Sequence, residues 1–228
     1  MNTATHAKLF PVYVWQVPVR IWHWGMAIAM VVLAATGYLI GSPPPSVHGE
    51  ASEHFWFGYI RFAHFAAGYA FAILFALRVL WVFVGNRFAR EIFLVPLHML
   101  KPSWWAGLID QTMYYLFLKR EAQPWQGHNP LAMAAMFFMY VLGTVFMIVT
   151  GFALYGEGTG MDSWAYQYFS SWVLPLLGYS MNVHTLHHLG MWYLITFTIV
   201  HVYMVFREDI CSGETVISTM INGWRVEK

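Results

Sequence analysis

Charge is what this sequence has least of. Lys, Arg, Asp and Glu together make up 10% of its 228 residues and apolar types 59%, against about 25% and about 45–50% in soluble globular domains. That balance excludes an ordinary water-soluble domain, and equally a charged, disordered chain. Cysteine is almost missing too. The single Cys211 excludes an intrachain disulfide framework, a four-cysteine iron–sulfur site and the C-x-x-C-H attachment of a c-type haem. Nor is one sign of charge in excess: twelve basic and eleven acidic residues leave a formal net charge of +1, so there is no broad positive field to recruit nucleic acid.

What is present in quantity is apolar and aromatic. The mean hydropathy is +0.51, with 12 Trp, 13 Tyr and 18 Phe to occupy the two faces of a bilayer. Four stretches, residues 19–40, 60–85, 131–155 and 182–206, reach the length of about 20 apolar residues that crosses a hydrocarbon core. The expected fold is therefore all-α: one membrane domain over residues 1–228, a polytopic bundle of four transmembrane helices. The first stretch ends at Gly41-Ser42-Pro43-Pro44-Pro45, through which no helix continues. It reads as a retained helix and not a signal peptide, since its apolar run is too long and no A-x-A cleavage site follows.

The basic residues set an expected orientation. Lys8 and Arg20 precede the first span; Arg87, Arg90, Lys101, Lys119 and Arg120 lie in the loop 86–130; Arg207, Arg225 and Lys228 follow the fourth span. The loops 41–59 and 156–181 hold no Lys or Arg. By the positive-inside rule those two loops are outside, and loop 86–130 and both termini are cytoplasmic. Residues 99–120 read as an amphipathic helix along the inner interface, and 161–180 as its outer counterpart. Arg61 and Arg78, at opposite ends of the second span, need another explanation.

Ionisable groups inside apolar spans are expensive and usually functional. His23 lies near the inner end of span one and His64 near the outer end of span two, while span four carries His184, His187 and His188 near its outer end and His201 near its inner end. From 187 to 201 a helix advances about 21 Å and turns to within about 40° of four full turns. Those two imidazoles therefore share a face, from which His184 and His188 are rotated away by roughly 100° and 140°. Matching depths pairs His64 with His187 and His23 with His201 across a bundle core, and two axial imidazoles suit the iron of a haem. Gly37, fourteen residues after His23, would admit the outer porphyrin; Arg61, one turn from His64, and Arg78, fourteen residues after it at the inner level, are each a candidate partner for a haem propionate.

Each of these residues also has a plainer reading. A lone histidine can hydrogen-bond a neighbouring helix, the arginines can snorkel to headgroups, and Gly37 can serve helix packing. His6, His48, His54, His98 and His128 fall in loops and read as solvated. The methionines of span three read as packing. A transporter would be expected to carry intramembrane Asp or Glu and broken helices, which the spans lack. A zinc site wants three or four ligands where each pair offers two. A haem-free anchor explains the hydrophobicity but not histidines matched in depth.

The stretches PVRIWHW (18–24), GYIRFAHFAAG (58–68), FVGNRFAREIF (83–93), GHNPLAMAAMF (127–137), Met147 to Gly151, HTLHHLGMW (184–192) and HVYMVFREDICSGETVISTMINGWR (201–225) closely resemble the b-type cytochrome subunit of membrane-bound nickel-iron uptake hydrogenases, within the wider group of four-helix dihaem cytochromes b. The last stretch separates that family from the formate dehydrogenase cytochromes, which share the ligand plan. The resemblance implies two haems b, an outer one on His64 and His187, with His184 as an alternative ligand, and an inner one on His23 and His201. It also implies an iron–sulfur small subunit carrying its own membrane helix, a nickel-iron large subunit on the periplasmic side of a bacterial inner membrane, and quinone as electron acceptor. The chain itself would hold no hydrogen-activating site.

Overall fold

In lipid a backbone can satisfy its polar groups only within its own segment or in a closed barrel, and each of the four apolar runs is a helix. The structure, a computed structural model, describes residues 11–45, 55–121, 123, 125–211 and 215–226. A short strand β1 (Pro11–Tyr13) leads into α1 (Val17–Gly41) and α2 (Trp56–Val84). After two single turns come α3 (Pro102–Tyr115), α4 (Pro130–Thr159), α5 (Ser180–Cys211), α6 (Val216–Asn222) and strand β2 (Trp224–Val226). α1, α2, α4 and α5 are each long and apolar enough to cross a membrane. Ile28, Val31, Phe62, Ile73 and Ile199 are all more than half exposed, a surface suited to acyl chains rather than water.

Local chemistry sets the helix limits. Asn129 Oδ1 accepts the Ala132 N–H at 2.7 Å, and Pro130 occupies the first turn, where its missing N–H costs nothing. α4 widens into a π turn at Met136–Val141 and stops at Gly160, whose φ of 96° a side chain would resist. α5 runs past the expected end at 206 to Cys211. Arg207 lies in this added length, its guanidinium 4.8 Å from the ring centroids of both Tyr114 and Tyr115 and paired with Glu208 at 3.1 Å.

The chain divides into two compact units. The first comprises Met1–Ile21, Arg78–Phe138 and Thr198–Lys228. In it β1 and β2 pair antiparallel, with Tyr13 opposite Trp224; three-residue strands carry no period that a sequence could reveal. Asn86 is a node: its N–H donates to Gln16 Oε1 (3.0 Å), its Nδ2 to the Val14 carbonyl (2.9 Å), and its Oδ1 accepts from Ala89 N (3.0 Å). Arg225 Nη1 reaches the carbonyls of Trp125, Gln126 and Gly127. α3 is amphipathic as expected, burying Trp104, Gly107 and Gln111 while Trp105, Ile109 and Met113 stay exposed. Trp104 packs with Val95 and Met133.

The second unit comprises Trp22–Leu77 and Met139–Phe197. Its only basic residue other than histidine is Arg61; every Lys and every other Arg of the sequence belongs to the first unit. The segment 161–180 is helical over residues 166–176 and lies against α4. Ser170 donates to the Ala153 carbonyl at 2.6 Å, and Val173 packs with Ala153 and Val183. The close approach is possible because residue 156 is glycine: a Cβ there would stand 2.4 Å from Tyr166 N.

Candidate functional site

Within the second unit an apolar cavity of ≈ 470 Å³ opens among segments of all four long helices, inside the range of about 300–1,000 Å³ typical of cofactor sites. α2 carries His64 into its lining and α5 carries His187. The two imidazole rings face one another with centroids 6.5 Å apart and planes inclined at 75°. His64 Nδ1 lies 2.8 Å from Thr36 Oγ1 of α1, and His187 Nδ1 lies 2.8 Å from Thr150 Oγ1 of α4. Phe65, Phe152, Leu154, Met191 and Leu194 supply apolar walls.

The other expected residues are placed as follows. Gly37 lines the cavity, and a Cβ there would come within 3.3 Å of His64 Cε1 and 3.4 Å of Met191 Sδ. Its missing side chain makes room for the His64 imidazole edge. Arg61 lines the same cavity, its guanidinium 5.9 Å from the Phe65 ring. His184 is exposed, its Nδ1 3.0 Å from the Ser180 carbonyl of its own helix. His188 lies almost parallel to Trp192 at 6.5 Å. Arg78 belongs to the first unit, where it is buried, donates to the Ala89 carbonyl at 2.6 Å and lies 5.0 Å from the Phe93 ring. His23 belongs to the second unit and His201 to the first, so their pairing stays a reading of the sequence. Of the histidines read as solvated, His128 is half-buried, its Nδ1 3.1 Å from Glu91 Oε2 and its ring 5.0 Å from that of Trp15. His6, His48 and His54 lie outside the described residues.

Four residues escaped the sequence reading. Thr36 and Thr150 contact the two imidazoles, Gly151 stands behind His187 as Gly37 does behind His64, and Gly68 borders the cavity with nothing within 4 Å of the place a Cβ would take. Three of them share one signal, a repeated dipeptide, Thr36-Gly37 and Thr150-Gly151; Gly68 has none.

The donor set fits an iron porphyrin. A metal–imidazole bond of about 2 Å, added to the roughly 1 Å from a ring nitrogen to its centroid, puts two imidazoles on opposite sides of one metal about 6 Å apart, close to the separation found. Among the described residues no group of three or more His, Cys, Asp or Glu could hold a bare metal ion. A planar cofactor between helices needs an open flank and apolar walls, and Gly68 and the lining supply them.

Fold and cavity together define a membrane-spanning cytochrome of the b type. The chain belongs to the prokaryotic cytochrome b561 family, whose profile matches residues 14–223. It is 56% identical over 221 residues to the probable Ni/Fe-hydrogenase B-type cytochrome subunit of Azotobacter vinelandii, covering 97% of this chain and 91% of that one. It is 52% identical over 216 residues to the protein of the same name in Cupriavidus necator, with 95% and 87% covered. It is 50% identical over 217 residues to the probable Ni/Fe-hydrogenase 1 B-type cytochrome subunit of Escherichia coli K12, with 95% and 91% covered. Haem b is the cofactor that a b-type cytochrome implies.

Proposed function

We propose that this chain is the haem b electron-transfer subunit that anchors a nickel-iron hydrogenase to the membrane and passes electrons from H2 oxidation to the quinone pool. The observation that carries this reading is the facing pair His64 and His187 in an apolar cavity, and the names of the relatives supply the partner. A bound haem b supplies a one-electron redox centre. His64 and His187 ligate it at the outer level; His23 and His201 ligate a second at the inner level, on the sequence spacing alone. Arg61 and Arg78 hold propionates, and the aromatic and aliphatic walls keep water from the ligating nitrogens.

The partner oxidises H2 to two protons and two electrons on the periplasmic side of the inner membrane. Its iron–sulfur small subunit, with a membrane helix of its own, docks beside the outer segment 161–180. Two electrons crossing through this chain, with two protons drawn from the cytoplasm, reduce a quinone to a quinol. Both termini are cytoplasmic in this reading. That orientation is supported by the pairing of β1 with β2 and by the gathering of nearly all basic residues in the same unit.

The test is a reduced-minus-oxidised visible spectrum of the chain purified with its partners, with extracted haem counted per polypeptide. Two non-covalent haems b are expected, one lost on replacing His64 or His187 and the other on replacing His23 or His201. A folded, partner-bound chain without haem would leave a haem-free anchor in its place.

A further inference from the structure

The two facing imidazoles are held by the same two-residue device. Thr36 Oγ1 lies 2.6 Å from the Val32 carbonyl, one turn back on α1, and 2.8 Å from His64 Nδ1. Thr150 Oγ1 lies 2.8 Å from the Phe146 carbonyl, one turn back on α4, and 2.8 Å from His187 Nδ1. A threonine hydroxyl has one proton and two lone pairs, and a carbonyl can only accept. The hydroxyl proton therefore goes to the carbonyl, and the oxygen accepts from the Nδ1–H of the ring. Both imidazoles are thereby fixed as Nδ1–H tautomers, with the lone pair on Nε2. The residue after each threonine is glycine, and a Cβ on Gly37 or Gly151 would stand 3.3 Å from Cε1 of the same ring. Each ring edge thus rests against the backbone of the neighbouring helix, and the same dipeptide does this on two helices.

We propose that Thr36-Gly37 and Thr150-Gly151 form a duplicated imidazole seat, whose threonines are positioning residues that set the tautomer and the ring plane of His64 and His187 toward the haem iron. This rests on the reading of those two histidines as iron ligands. Two consequences follow from ligand chemistry. A hydrogen bond accepted from the remote ring N–H makes the imidazole a stronger donor, which favours ferric over ferrous iron. Ring planes held at 75° leave two iron d orbitals close in energy, so the low-spin ferric signal is strongly anisotropic with a large maximal g value. Planes relaxing toward parallel reduce it.

The test compares Thr36→Val and Thr150→Val, which keep shape and lose the hydroxyl, with Thr36→Ser and Thr150→Ser, which keep it. All are made in the full chain in membranes with its partners. Haem per polypeptide, the midpoint from a redox titration and the paramagnetic resonance spectrum are read for each. In the valine variants the maximal g value of the His64/His187 centre should fall, its midpoint should rise, and its haem should be held roughly 10–100-fold less tightly. The serine variants should return all three toward the starting protein. Valine variants with unchanged g value and midpoint would overturn the proposal and leave the threonines as packing. His64→Ala and His187→Ala serve as the control: if neither removes a haem, the ligand reading fails first and the seat falls with it.

Discussion

Arg61 stands one helical turn before His64 on α2, and both side chains line one apolar cavity. Arg61 is also the sole Lys or Arg of its unit, so any carboxylate entering that cavity has one guanidinium to meet. A cation beside the cofactor favours its reduced form, which carries less positive charge. Arg61→Gln should therefore lower the midpoint of the His64/His187 centre and loosen its haem, while Arg61→Lys keeps more of the midpoint but loses the two-pronged geometry of the guanidinium. Because Arg61 is exposed, the shift should shrink as salt is raised. Redox titration at two ionic strengths checks both statements.

Gly68 borders the cavity with open space where a Cβ would be. Gly68→Ala should leave the chain folded and inserted, because its methyl group meets no protein atom, and should do no more than loosen the haem. Gly68→Phe should place a ring in the space a porphyrin needs, giving a folded, membrane-inserted chain short of one haem. Gly151→Ala differs in kind: its Cβ would press on His187 Cε1 at 3.3 Å. It should move the spectrum of a haem that remains bound. Haem per polypeptide alongside the visible spectrum separates the two cases.

The spans were legible because lipid demands long uninterrupted apolar runs, and nothing else in a sequence looks like one. The site of His64 and His187 was half legible. His64 and His187 stood out because an ionisable ring in an apolar span is conspicuous. Thr36 and Thr150 did not, because a threonine in a helix ordinarily bonds its own preceding turn, and where its remaining lone pair points depends on the neighbouring helix. Gly37 borders the His64 edge as well as the cavity; spacing along one helix cannot reveal which side chain of a neighbouring helix comes closest. The fourteen-residue spacing from His64 makes Arg78 a candidate propionate partner. Its contacts to the Ala89 carbonyl and Phe93 depend on the turn after α2, which no periodicity announced.

Asn86 ties residues 14–16 to the start of the turn at 87–90 through three hydrogen bonds, one of them a helix cap. Asn86→Ala keeps the backbone bond to Gln16 and loses the other two. A cap and a partly buried bond together contribute about 2 kcal/mol. The variant should melt several degrees lower in detergent while the g value of the His64/His187 centre, which lies in the second unit, stays where it was. A shift in that signal would mean that the node does more than hold the first unit together.

Tyr115, at the end of α3, gives a pH dependence with a definite sign. Burial first, and the Glu208 carboxylate second, push its phenol up to about 12, and Asn129 Nδ2 donates to its oxygen at 3.2 Å. In an unfolded chain a tyrosine ionises near about 10. With the folded value above the unfolded one, the stability linked to this group is fully present below about 10 and is lost as pH rises through about 12. Tyr115→Phe removes the titration along with the Asn129 bond. The variant should therefore be less stable than the parent at neutral pH, and the gap should narrow between pH 10 and 12 as the parent loses what the variant never had. Thermal midpoints of the two proteins in the same detergent across that window test it; a gap that stays constant would show that Tyr115 ionises equally easily in both states.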